Sequence, residues 1–206
     1  MTRRDTAMHA LLVGLATGLF VLQPLADLGW VPDAVPPLVT LATMLAAMAA
    51  LGSTGAAFWP LVACLVLVAA GAGLDSQEVA GFASIAGLAL LCRALLAQVL
   101  AAGEVTRQRI EGAIALYLLV ALLFATGYET LEALAPGSFT GAAELPESFR
   151  YLSLIVQTST GFGDIVPATP LARTLVTLQA VTGQIFIAVL LARLVSLELA
   201  SRSARR

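Results

Sequence analysis

The sequence predicts an all-α membrane protein with six transmembrane helices and a short re-entrant helix between spans five and six. Three observations carry that expectation. Of the 206 residues, 59% are hydrophobic and the mean hydropathy is +0.93, well above the roughly half-apolar composition of a soluble domain. Apolar runs near the ~20 residues that cross a bilayer recur along the chain, at about 8–28, 35–52, 56–74, 79–100, 111–134 and 170–197. Between the last two lies a helical stretch of about eleven residues, near 16 Å at 1.5 Å per residue, which can dip halfway into a membrane but not cross it.

The first run follows Arg3 and Arg4, and no small-x-small cleavage pattern precedes Asp27, so it reads as an uncleaved first span. Residues 1–102 then hold four spans. A polar stretch at 103–110 reads as a cytoplasmic connector with interfacial character, and residues 111–200 form a second part. Its first helix runs from about Glu111 to Leu134 and stops before Pro136-Gly137. A turret of roughly a dozen residues leads to Pro146 and Glu147, which favour a helix start, and the short helix ends at Gln157. The run Thr158-Ser159-Thr160-Gly161-Phe162-Gly163-Asp164 follows, and the last apolar helix closes the chain.

Gly161 and Gly163 occupy alternate positions around an aromatic, and glycine accepts either backbone hand at little steric cost. An alternating hand turns successive carbonyls to one side. Here the second part resembles the potassium-channel pore family, whose filter usually reads Thr-Val-Gly-Tyr-Gly-Asp. The likeness covers a little under half of the chain, in the order outer helix, pore helix, selectivity filter, inner helix. It implies a homotetramer, because four strands of carbonyls are needed to replace the hydration shell of a potassium ion. Ser159, Thr160, Gly161, Phe162 and Gly163 would then line the ion path, with the Ser159 hydroxyl at the inner end. Thr158 would support them, and the Tyr151 phenol would brace Asp164. Gly183 lies at the spacing of an inner-helix hinge glycine, with close helix packing as the other reading. Gln184 and Ile187, with Ala188, Leu191 and Val195, fall on one stripe assigned to the inner cavity wall. Thr160 stands where Val or Ile is usual and Ser159 where Thr is usual. Those departures keep a non-selective cation channel open beside a potassium channel, and a structural or regulatory subunit with a degenerate pore is the third reading.

Voltage sensing needs several arginines at three-residue spacing on the fourth span, since one charge is worth about 2.3 kcal/mol per 100 mV. That span carries Arg93 alone, so residues 1–102 read as a scaffold. All 11 basic residues are arginine. Placing both termini in the cytoplasm puts only Arg150 and Arg173 outside, as the positive-inside rule requires, and leaves an acidic outer face. The expected setting is a bacterial plasma membrane, with lipid and monovalent cations as partners and the identity of any separate regulatory subunit left open. Cys64 and Cys92 read as small packing hydrophobes, and His9 as an interfacial residue. No catalytic constellation, organic cofactor or nucleic-acid partner is expected.

Overall fold

The computed structural model describes residues 3–22, 77–101, 106–141 and 148–203, with isolated positions between 25 and 66. Helix α1 (Arg3–Thr17) ends in one π-helical turn, Gly18–Leu22. Next come α2 (Gln77–Leu100), α3 (Arg107–Leu134), β1 (Phe139–Gly141), α4 (Ser148–Gln157), β2 (Ile165–Pro167) and α5 (Pro170–Ser203). Among the described residues, Val79–Leu100, Gln108–Leu134 and Pro170–Leu190 are long and apolar enough to cross a membrane, and Thr6–Leu22 is a shorter apolar helix. The expected spans at 35–52 and 56–74 lie largely outside the described residues, as do Cys64, Pro146 and Glu147.

Helix α3 starts inside the stretch expected as a connector. Thr106 takes the cap position with extended backbone (φ -95, ψ 156), and no Gly or Pro interrupts residues 107–111, so the helix runs on from Arg107.

Apolar spacing of three and four residues sets the packing. Met8, Leu11 and Leu15 of α1 share a core with Leu88, Leu91, Cys92 and Leu95 of α2 and with Ala115, Leu116 and Leu119 of α3. Helix association in lipid depends on close contact more than on hydrophobic driving force, and glycines provide it here. A Cβ on Gly112 would lie 3.5 Å from the Met8 sulfur, and one on Gly81 only 2.6 Å from Thr130 Oγ1. At one end of the bundle His9 Nδ1 meets Glu111 Oε1 at 3.3 Å, and Arg193 Nη2 donates to the Ala101 carbonyl at 2.7 Å.

Beside the helices stands a two-stranded antiparallel ribbon, in register Phe139↔Pro167, Thr140↔Val166 and Gly141↔Ile165. An all-helical expectation does not contain it. Pro136 and Gly137 (φ 85) end α3, and the chain turns back so that Phe139 and Ile165 enter a second core. There they join Tyr128, Phe149, Leu152, Ile155 and Ala172.

Candidate functional site

Helix α4 buries Phe149, Leu152, Ser153, Ile155 and Gln157 against α3 and α5, and its last turn delivers residues 158–164. Backbone N–H groups of that run fold back onto the helix end. Thr158 N–H donates to Leu154 O at 3.0 Å, Ser159 N–H to Val156 O at 3.0 Å and Thr160 N–H to Ile155 O at 2.8 Å. Gly161 N–H shares the Ile155 carbonyl at 3.2 Å. Thr158 Oγ1 also donates to Leu154 O at 2.8 Å and lies 2.9 Å from Thr160 Oγ1.

With its donors held on that side, the run alternates in hand. Ser159 (φ 57), Gly161 (φ 50) and Gly163 (φ 80) have positive φ, while Thr160 and Phe162 do not. The two glycines were the sequence signal for this alternation. Ser159 was not, because a residue with a Cβ seldom takes positive φ. Gln184 Nε2 donates to the Ser159 hydroxyl at 2.5 Å, which ties that residue to the inner helix. Every residue of 158–164 is exposed in the single chain.

Behind the run lies a polar network that sequence reasoning missed. Tyr128, Ser153, Gln157 and Gln179 are each 0% exposed. The Tyr128 hydroxyl donates to Gln179 Oε1 at 2.5 Å, and Gln179 Nε2 donates to Ser153 Oγ at 2.6 Å, Ser153 O at 3.0 Å and Gln157 Oε1 at 3.1 Å. Ser153 Oγ donates to Ala121 O at 2.6 Å, Gln157 Nε2 to Tyr117 O at 2.6 Å, and the Tyr117 hydroxyl to Gln157 O at 3.1 Å. Outer, short and inner helices are thus pinned together at the point where the run begins. Among the described residues no buried side-chain polar atom lacks a partner, the condition under which such a network rigidifies a core. The signal for it was an amide inside an apolar run: a glutamine at membrane depth is costly unless bonded, so Gln157 and Gln179 needed partners.

Tyr151 and Phe162 stack at 6.5 Å between centroids and 4° between planes. The Tyr151 hydroxyl is hydrogen-bonded to the Asp164 carboxylate. Gly183 is buried against the end of α4: a Cβ there would lie 2.5 Å from Gln157 O. Helix α5 runs unbroken through it. Gln184, Ile187 and Ala188 are exposed, while the Leu191 and Val195 side chains lie outside the description. Among the described residues no group of three His, Cys, Asp or Glu is placed to hold a metal ion. Along 158–163 the oxygens are carbonyls and hydroxyls, and Asp164 adds a carboxylate at the end of the run.

Residues 116–198 match the family model described as "Ion channel". The inward rectifier potassium channel Kirbac3.1 of Paramagnetospirillum magnetotacticum is 38% identical over 78 residues, which cover 36% of this chain and 24% of that protein. The chain therefore aligns with about a quarter of that relative's length. No solved structure matches. Residues 116–198 are thus similar to an ion-channel family, and the described residues include helices long and apolar enough to cross a membrane.

Proposed function

We propose that the chain is one subunit of a homotetrameric, potassium-selective channel in which residues 158–163 form the ion path. The observation that carries this reading is the alternating hand at Ser159, Gly161 and Gly163, directly after a helix too short to cross the membrane. Alternation turns successive carbonyls to one side, and four such strands around an axis replace the water that a potassium ion sheds. Helix α4 aims the negative end of its dipole at the entry to the run, which favours a cation there. Irregular backbone at membrane depth is tolerated where protein or a polar cavity surrounds it, and the exposed run with Phe162 at 70% exposure suits burial against neighbouring subunits. Tyr151 and Asp164 brace the outer end, and the network on Gln179 holds the helix that feeds the inner end.

In this reading α4 is re-entrant, residues 1–102 are a scaffold for the pore domain at 111–200, and both termini face the cytoplasm of a bacterial plasma membrane. One observation favours non-selective conduction as a second reading. The hydroxyls of Thr160 and Ser159 already bond Thr158 and Gln184, which changes the inner half of the path relative to the usual Thr-Val pair. Reversal potentials of the protein reconstituted in liposomes separate the readings. Potassium selectivity gives a reversal near the potassium equilibrium potential, equal permeabilities favour the second reading, and an assembled tetramer that passes no cation refutes both.

A further inference from the structure

The turret end of α3 carries a carboxylate with two backbone partners. Glu132 Oε1 accepts the Gly137 N–H at 2.7 Å and Oε2 accepts the Phe139 N–H at 3.0 Å. Bonds to an ionised acceptor are roughly twice as strong as neutral ones. The two donors are the turn that ends α3 and the first residue of β1, so Glu132 sets where the ribbon starts. Phe139 is then locked by ring contacts with Tyr128 at 5.3 Å and Phe149 at 5.0 Å, and Ser138 O accepts the Ala168 N–H at 2.8 Å.

The far end of the ribbon touches the residue that follows the ion path. Gly141 has φ 101 and lies so close to Asp164 that a Cβ would stand 1.8 Å from the Asp164 carbonyl oxygen. Only glycine fits there on both counts. A continuous line of contacts therefore runs from Glu132 through β1 and β2 to Asp164, the neighbour of Gly163.

We infer that Glu132 is a positioning residue for the outer end of the ion path: through the ribbon it sets where the Gly163 and Asp164 backbone stands. The inference rests on the channel reading. A carboxylate that merely capped α3 would affect stability and leave permeation alone. Glu132 itself touches no ion; its effect is transmitted through about ten residues of paired and packed backbone.

The test uses the full chain reconstituted in liposomes, with Glu132→Ala, Glu132→Gln and Gly141→Ala, reading bi-ionic reversal potentials and amide hydrogen exchange across residues 163–166. Glu132→Ala loses both acceptors and should lower the potassium-to-sodium permeability ratio about tenfold, equivalent to ~1.4 kcal/mol. Glu132→Gln keeps one acceptor and should lower it less, and Gly141→Ala should match or exceed Glu132→Ala. Exchange across residues 163–166 should quicken in the same order. An unchanged permeability ratio in the assembled Glu132→Ala tetramer overturns the inference. Should that variant not assemble, unchanged exchange in Glu132→Gln overturns it instead. A wild-type protein that passes no cation refutes the channel reading, a result the exchange measurement keeps distinct.

Discussion

Replacing Gly183 with alanine tests how the inner helix and the ion path are joined. An added Cβ would lie 2.5 Å from Gln157 O and 3.1 Å from Gln157 Cγ, where ordinary contact starts at 3.4 Å. Helix α5 must therefore withdraw by roughly 0.9 Å or push the end of α4 aside, since repulsion inside ordinary contact is steep. The Gln157 carbonyl is poorly placed to yield, being held by the Tyr117 hydroxyl, while its side chain is held by Tyr117 O and Gln179. A withdrawal of that size stretches the 3.1 Å bond from Gln179 Nε2 to Gln157 Oε1 to about 4 Å, outside hydrogen-bond range. Overpacking of this kind costs about 1–3 kcal/mol, in each of the four proposed subunits. Thermal unfolding of the detergent-solubilised protein should show a lowered midpoint, and reversal potentials should show weakened potassium selectivity. Gly127→Ala is the control, since its Cβ would sit 3.7 Å from Leu175 Cδ2 in normal contact. A Gly183→Ala protein with wild-type unfolding and selectivity, altered only in the fraction of time open, would refute the packing argument and favour a hinge.

Gly161→Ala meets nothing within 4 Å in the single chain, so its cost is conformational, about 1–2 kcal/mol per copy at φ 50; selective flux should vanish while the tetramer still assembles on size-exclusion chromatography. Gln179→Leu strands the Tyr128 hydroxyl and Gln157 Oε1, both buried. A loss of about 1–4 kcal/mol is expected, between the membrane average of ~0.6 per bond and the full cost of unpaired groups, and equilibrium unfolding measures it. Arg93→Gln should alter membrane orientation, read by cysteine accessibility, more than the current–voltage curve, because a lone arginine moves too little charge for steep gating. A steep activation curve flattened by that change would restore a sensor role to residues 1–102.

Membrane class was legible along the chain because it follows from local quantities: run length and the need of backbone groups to bond internally in lipid. The short helix ending at Gln157 and the alternation at Gly161 and Gly163 were legible for the same reason, since helix length and glycine's freedom belong to the residues themselves. Ser159 was not legible: its positive φ is held by its own N–H bond to Val156 O, by the bonds of Thr160 and Gly161 to Ile155 O, and by Gln184 from the inner helix. Gly183 carried two readings until its neighbour was known, and that neighbour, Gln157, lies on another helix. Gly141 fell in the turret and Glu132 near the end of the outer helix, and the ribbon that joins them to Asp164 depends on Phe139 and Ile165 sharing one buried core among α3, α4 and α5. Apolar periodicity says that a helix buries a face but leaves open what covers it. Which amide meets which hydroxyl, and which glycine lies under which carbonyl, is set by close packing between segments tens of residues apart, where a shift of under 1 Å breaks a hydrogen bond.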